Sequence, residues 1–344
     1  MVDFHCYHNI AIEKYRSIRL SRSITRIHST SHLAAAMMSS PISDDATTSP
    51  SSIFFEDEYV EALLSTQPST PGDTIVRIKR PTLSGLGYMQ KDQYVQTLIS
   101  AKQVATIVKA ATGVQRVSLV WDAAFEIRLI PLHGVNTEWK PMMDPQLEYH
   151  TAYPGYVTSR SGPKHSNETL EKFQADITDG NPPAMDLTCQ SSPETSQNLF
   201  AKIIRGELEQ WRVWESESHV AFLTPFANTP GKTVLVPRKH VDSDILSTSM
   251  EDFEHLARAT WDVLTVLMRS RLKPDRVGLI FEGMEIDWAH AKLIPVCGDV
   301  GESPGEQLFV EQYTGSVSSQ PGPAVARKEL QEMQQRFDSA STRS

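Results

Sequence analysis

Hydrophobic positions in the C-terminal part of the chain fall into short runs that are separated by polar turns. Five of these runs are rich in β-branched and aromatic residues and predict β-strands, at residues 211–214, 220–224, 233–236, 277–281 and 288–294. Between the third and fourth runs the spacing becomes helical. Ser249 begins this helix, and Phe253, Leu256, Val263 and Leu267 fall on one of its faces. A short apolar stretch at Leu199–Ile204 predicts one or two further helical turns. Strands joined by turns around one long helix are typical of an α+β fold with an antiparallel sheet.

The chain repeats this pattern at a spacing of 159 to 160 residues. EDEYVEALLSTQPSTPGDT, from Glu56, matches ESESHVAFLTPFANTPGKT, from Glu215, without a gap. RVSLV from Arg116 likewise matches RVGLI from Arg276, and later matches pair Tyr153 with Tyr313 and Ser159 with Ser319. One register held over so long a stretch predicts a tandem duplication.

The duplication predicts the domain organisation. Residues 1–52 are expected to be a disordered or targeting leader, residues 53–178 the first copy, residues 179–197 a Pro- and Ser-rich linker, and residues 198–339 the second copy. Each copy is expected to be an antiparallel meander sheet of about five strands with a long and a short helix. Two copies in one chain also predict an intrachain pseudo-dimer.

Composition narrows the classes of partner. The 344 residues carry a formal net charge of −9, which disfavours a protein that coats nucleic acid. No apolar run approaches the length that spans a membrane, so we expect no membrane partner. The three cysteines form no C-x-x-C pair, which argues against a structural zinc site and favours a reducing compartment.

The first 40 residues are basic and serine-rich, a composition similar to that of a mitochondrial transit peptide. The alternative is a disordered leader, or a start of translation at Met37 or Met38. We therefore expect a cytoplasmic or nuclear location, with a mitochondrial one as the alternative.

Candidate chemistry lies in the last predicted strand, which reads DWAHAKLIP from Asp287 to Pro295. Side chains alternate along a strand, so Trp288, His290 and Lys292 are expected on one face. An imidazole and an ammonium group two residues apart favour an anion site. A neutral imidazole there can attack phosphorus to form a phospho-histidine, provided that a partner on its other nitrogen fixes the tautomer.

This stretch resembles the histidine-triad (HIT) superfamily, whose H-x-H-x-H motif reads roughly D-H-A-H-x-K-L-x-P in one branch. FLTPFANTPGKTVLVPRKH at residues 222–240 and LFAKIIRGE at residues 199–207 are similar to that branch as well. The resemblance implies a purine nucleotide ligand, bound through its α-phosphate, and hydrolysis or nucleotidyl transfer at that phosphate.

The resemblance also implies roles for individual residues. His290 takes the position of the nucleophile, and Lys292 that of the third triad residue. The residues implied to line the nucleotide pocket are His240, Phe200, Ile204, Trp288 and Thr224. Two of them depart from the family: Trp288 replaces the first histidine, and Thr224 stands where many relatives carry an aspartate that holds the ribose, although the branch that this sequence resembles tolerates threonine there.

The first copy is expected to have lost this chemistry, because Glu126 aligns with His290 and Arg128 with Lys292. A carboxylate would repel a phosphate. We expect no bound metal or cofactor, although Mg²⁺ could accompany a polyphosphate substrate. A catalytically inactive nucleotide-binding or scaffold protein is the alternative to an enzyme, and Trp288 motivates it.

Overall fold

A computed structural model describes residues 52–79, 89–122, 125–192, 195–298 and 307–342. The predicted leader lies outside the described residues except for Ser52. Among the described residues, no helix has the length and apolar character needed to cross a membrane.

The elements follow the chain in two similar series. The first half contains β1 (Ile53–Glu56), β2 (Val60–Leu64), β3 (Thr74–Ile78), α1 (Lys91–Thr112), β4 (Val117–Trp121), β5 (Glu126–Pro131) and α2 (Asn167–Thr178). The second half contains α3 (Leu199–Ile204), β6 (Arg212–Glu215), β7 (His219–Leu223), β8 (Thr233–Pro237), a 3₁₀ turn (Ile245–Ser247), α4 (Met250–Arg269), β9 (Arg276–Phe281), β10 (Ala291–Val296) and α5 (Arg327–Ser341).

The ten strands found among the described residues form one antiparallel sheet in the order β1-β2-β3-β5-β4-β9-β10-β8-β7-β6. Each half contributes five strands, and the halves join where β4 pairs with β9, with Val120 opposite Ile280. The predicted α+β class and antiparallel sheet are confirmed. Each half contains one crossover. The long helix connects β3 to β4, and β8 to β9, which are not neighbours in the sheet. As a result, β5 lies between β3 and β4, and β10 lies between β8 and β9.

The strand that carries the motif begins later than expected. The sequence predicts a strand over residues 288–294, whereas β10 spans Ala291–Val296. The backbone N–H groups of Trp288 and Ala289 donate to Ile286 O and Val241 O, outside the strand ladder. Trp288 and His290 therefore lie in the turn that leads into β10.

The two faces of the sheet have different coverings. Helices α1 and α4 pack together on one face, where Tyr94 Oη and Thr260 Oγ1 lie 3.0 Å apart. Ala289, Ala291 and Leu293 point into that core, whereas Trp288 and Ile294 pack on the opposite face. The predicted alternation along the motif is therefore present, and it directs the candidate site away from the long helices.

Two segments cross between the halves on that opposite face. We call residues 157–162 the first strap and residues 317–322 the second strap. The first strap runs along the β7–β8 loop, where Gly162 N donates to Phe226 O, and the second runs along the β2–β3 loop, where Gly322 N donates to Gln67 O. The helices that follow are exchanged too: α2 packs on β6 and α4, and α5 packs on β1 and α1. Each half is thus completed by chain from the other.

Candidate functional site

His290 is held in one tautomer by its own turn. Its Nδ1 lies 2.7 Å from Trp288 O, and because a carbonyl only accepts, Nδ1 carries the proton and donates it. Its side chain is buried, with 1% of the residue exposed, and Nε2 has no hydrogen-bond partner. Burial, with a further contribution from Lys292, lowers the pKa of His290. The result is a neutral imidazole whose Nε2 lone pair is free.

Trp288 fills the space beside His290. The indole is completely buried and packs in an apolar cluster with Phe200, Ile204, Val220 and Val236. Its Nε1–H donates to Pro237 O at 3.0 Å. His240 meets the indole edge-on, with ring centroids 5.1 Å apart, and its Nε2 lies 3.2 Å from Asp287 O. The indole therefore occupies the middle of the residues that the resemblance assigns to a nucleotide pocket.

The short helix α3 covers both rings. The Phe200 ring lies 5.2 Å from the His290 ring, in an edge-on contact. Asn198 ties this helix to the motif, because Oδ1 caps Phe200 N at 2.9 Å and Nδ2 donates to Asp287 O at 3.1 Å. At the other end of α3, a buried Arg212 donates to Ile204 O at 2.6 Å. Helix α3 thus contributes to the burial of His290, which is 1% exposed.

Lys292 lies on the same face as His290 but is engaged by carboxylates. Its Nζ lies 2.7 Å from Glu282 Oε2 and 3.2 Å from Glu285 Oε1, and the residue is 3% exposed. Burial lowers the pKa of Lys292, and the two carboxylates outweigh that effect, so that the net shift is upward. Lys292 is therefore a permanent cation that already has two anionic partners.

Glu282 accepts hydrogen bonds from both halves of the chain. Its Oε1 accepts from Tyr313 Oη at 2.6 Å and from Ser159 Oγ, in the first strap, at 2.9 Å. Sequence reasoning did not assign Glu282, Glu285 or Tyr313 to the site. The available signal was the pair of acidic residues in FEGME, at residues 281–285, which ends one residue before the motif begins.

A second buried lysine borders this network. Lys232 Nζ donates to Arg160 O at 2.9 Å and approaches Ser159 O at 3.4 Å, both in the first strap. Burial, followed by the charge of Lys292, lowers the pKa of Lys232 to about 7. The first strap thus contacts two charged groups of the second half, the carboxylate of Glu282 and the ammonium group of Lys232.

The structure brings most of the expected residues together. Phe200, Ile204, Trp288, His240 and His290 form one contiguous group, and Lys292 follows on the same face. Thr224 lies just beyond the end of β7, and its Oγ1 accepts from Phe226 N at 3.2 Å in a local turn.

The equivalent surface of the first half is charged and open. Arg77 on β3 pairs with Glu61 on β2, at 2.7 Å, and with Glu126 on β5, at 3.2 Å, and the Arg77 and Glu126 side chains are nearly half exposed. Arg128, which aligns with Lys292, forms a buried ion pair with Asp73. This surface presents carboxylates where the second half presents an imidazole.

A cavity of about 270 Å³ lies on the helix-covered side of the second half. His219, Lys239, Asp252 and His255 are among its lining residues, and none of the residues predicted for the nucleotide site lines it. Within the described ranges, no group of three or more histidine, cysteine, aspartate or glutamate side chains is arranged to hold a metal ion.

Comparisons with known proteins agree with the resemblance. No family model matches the chain. An uncharacterized HIT-like protein of Mycoplasma genitalium is 24% identical over 106 residues, which is 29% of this chain and 74% of the relative. An uncharacterized HIT-like protein of Saccharolobus solfataricus is 26% identical over 102 residues, covering 28% of this chain and 72% of the relative.

Among solved structures, a HIT-like protein from Bartonella henselae, described as involved in cell-cycle regulation, is 19% identical with a TM-score of 0.28. The match covers 42% of this chain and 97% of that protein. Both sequence matches are to HIT-like proteins, which agrees with the resemblance carried by the motif.

Proposed function

We propose that the chain is a HIT-type nucleotide hydrolase or nucleotidyl transferase that cleaves a phosphoanhydride or phosphoramidate at the α-phosphate of a purine nucleotide. The observation that carries this proposal is His290. Its Nδ1 proton is committed to Trp288 O, and its Nε2 is unpartnered and belongs to an imidazole that burial keeps neutral. These are the properties of a nucleophilic histidine.

In the proposed reaction, His290 Nε2 attacks the α-phosphorus and forms a P–N bond, while the bond to the leaving group breaks. Water then attacks the phosphorus, breaks the P–N bond and releases the nucleoside monophosphate. Lys292 supplies positive potential beside the reacting phosphate, and the carboxylates of Glu282 and Glu285 partly neutralise this potential. His240, Phe200 and Ile204 contact the base once the indole moves aside, and Thr224 lies at the ribose end.

The proposed chemistry uses no bound metal or cofactor, and Mg²⁺ enters only with a polyphosphate substrate. Hydrolysis of an adenosine phosphoramidate is therefore expected to continue in EDTA, whereas hydrolysis of a diadenosine polyphosphate is expected to respond to Mg²⁺. Equal loss of both activities in EDTA would contradict this part of the proposal.

The central test is release of AMP from a fluorogenic adenosine phosphoramidate by the full chain. His290→Ala is expected to reduce turnover at least 1,000-fold, because the nucleophile is removed. His255→Ala, an exposed histidine on α4, is the matched control and is expected to retain full turnover. Equal activity of wild type and His290→Ala would refute the assignment.

A second function is favoured by the burial of the two rings: a catalytically inactive nucleotide-binding or scaffold protein. Trp288 is fully buried and His290 is 1% exposed, so this closed arrangement offers Nε2 no open path to a phosphate. Nucleotide binding without turnover by wild type would support this function. Turnover gained by Trp288→His, which restores the first triad histidine, would identify the indole as the cause of inactivity.

We also propose that the two halves act as an intrachain pseudo-dimer. The β4–β9 pairing, the reciprocal straps and the exchanged helices α2 and α5 support it. The expected result is a solution mass of one chain at micromolar concentration. A stable two-chain species that forms through β4 or β9 would contradict it.

A further inference from the structure

The two straps contact each other in a nearly symmetric way. Ser159 N donates to Val317 O and Ser319 N donates to Val157 O, each at 2.9 Å. The hydroxyl groups repeat the relationship, because Ser159 Oγ accepts from Val317 N at 2.9 Å and Ser319 Oγ accepts from Val157 N at 3.0 Å. Ser159 and Ser319 therefore have the same role in holding the straps together.

One hydrogen bond breaks this symmetry. Ser159 Oγ also donates to Glu282 Oε1 at 2.9 Å, whereas no bond from Ser319 Oγ to an acidic side chain occurs among the described residues. Ser159 is 2% exposed, so water does not supply a ready alternative donor. The extra bond links the first half to the site in the second half.

Glu282 passes this link on to Lys292. Three side-chain donors hold its carboxylate: Ser159 and Tyr313 at Oε1, and Lys292 at Oε2. Lys292, in β10, in turn lies two residues after His290, which ends the turn before this strand, and on the same face. A displaced Glu282 would therefore shift the cation and the electrostatic potential next to the imidazole.

We propose that Ser159, contributed by the first half, is a positioning residue of the His290 site that acts through Glu282 and Lys292. The proposal rests on the function proposed for His290. It gives the first half a role in the reaction, although that half carries Glu126 in place of the histidine. The hydroxyl fixes one carboxylate oxygen and reduces its negative potential, which keeps Lys292 in one geometry.

The test compares Ser159→Ala with Ser319→Ala. Each variant loses one of the two equivalent hydrogen bonds between a serine hydroxyl and a backbone N–H of the other strap. Only Ser159→Ala also loses the bond to Glu282. Ser159→Ala is expected to lower kcat for the adenosine phosphoramidate about tenfold with KM changed less than about twofold, because orientation is lost and binding is retained. Ser319→Ala is expected to retain kcat, and Ser159→Thr, which keeps a hydroxyl group, is expected to restore most of it.

A second readout does not need turnover. NMR titration of the His290 ring in the full chain is expected to show a higher pKa in Ser159→Ala than in Ser319→Ala, because a less screened Glu282 favours the imidazolium. Equal His290 titration and equal kcat in the two alanine variants would overturn the proposal. If wild type shows no turnover, the proposed function fails, and the His290 titration still decides whether Ser159 acts on the site.

Discussion

Val120 of β4 lies directly opposite Ile280 of β9, and the two residues are equivalent positions of the sequence repeat. The neighbouring pairs, Leu119 with Phe281 and Trp121 with Leu279, extend the pairing symmetrically to either side. Each half therefore covers a strand edge of the other through the pairing of β4 with β9. Unpaired edges favour aggregation, so this junction protects both halves.

The buried indole of Trp288 gives the first prediction. Trp288→Phe removes the donor to Pro237 O and leaves that buried carbonyl unpaired. We expect the free energy of unfolding, measured in urea, to fall by about 1–3 kcal/mol. Trp214→Phe, at a half-buried indole on β6, is the control and is expected to lose less than about 1 kcal/mol. An equal loss in both variants would show that the Pro237 bond contributes nothing.

The buried ion pairs of Lys292 give the second prediction. Lys292→Met leaves the carboxylates of Glu282 and Glu285 without their cation. The free energy of unfolding at pH 7 is expected to fall by about 3–5 kcal/mol. Adding Glu282→Gln removes one of these unpaired charges. The double variant should therefore lose less free energy of unfolding than the sum of the two single variants, with a coupling of about 1–3 kcal/mol.

A surface pair serves as the control for that measurement. Lys91 on α1 contacts Asp262 on α4 at 2.7 Å, and both side chains are more than one-third exposed. Lys91→Met is expected to cost no more than about 1 kcal/mol, because solvent screens the pair. Strictly additive losses at Lys292 and Glu282 would contradict the network.

The third prediction concerns pH. Burial, followed by the charges of His255, Lys239 and Arg238, lowers the pKa of His219 from 6.5 to about 4. Between pH 6.5 and pH 4, His219 binds a proton in the unfolded chain but not in the folded chain. This group therefore makes the free energy of unfolding fall as the pH drops from 6.5 to 4. The full loss is on the order of 3 kcal/mol.

Urea unfolding at pH 7 and pH 4.5 checks this dependence. His219→Gln is expected to flatten the difference between the two pH values relative to wild type. His255→Gln, on the exposed side of the same cavity, keeps the buried imidazole and is expected to leave most of the difference in place. A slope that persists in His219→Gln would mean that other groups dominate acid unfolding.

The fourth prediction concerns the first strap. A Cβ at Gly162 would lie 1.9 Å from Ala227 O, a backbone atom that has little room to move. Gly162→Ala is therefore expected to push the strap away and to cost about 1–3 kcal/mol. Ser161→Ala, at the adjacent residue, is expected to be neutral. Limited proteolysis within residues 140–165 should be faster in Gly162→Ala, and unchanged cleavage would argue against the strap contact.

Much of the second half could be predicted from local pattern. The strands β6 to β9 lie within a residue or so of the predicted ranges, and Ser249 caps α4 by accepting from Asp252 N. The predicted start of β10 was wrong by three residues. The alternation of hydrophobic and polar residues carries no information on the hydrogen bonds that Trp288 and Ala289 make outside the sheet. Local alternation correctly placed Lys292 on the site face but could not reveal its partners.

The contacts between the halves are harder to anticipate. The matches of Tyr153 with Tyr313 and Ser159 with Ser319 were visible as repeats, but a repeat does not say which half a residue contacts. Ser159 and Glu282 are 123 residues apart in sequence, so only the folded chain shows their bond. For the same reason, the exchange of α2 and α5 follows from topology and not from any local signal.

The exchange of α5 has a consequence for biosynthesis. Ser341 Oγ donates to Phe54 O, across 287 residues of sequence, as α5 covers the first strand of the sheet. At a translation rate of about 5–20 residues per second, β1 leaves the ribosome on the order of 15–60 s before its covering helix exists. During that interval the nascent amino-terminal half lacks part of its native cover, and the apolar side chains of β1 that α5 later covers stay accessible.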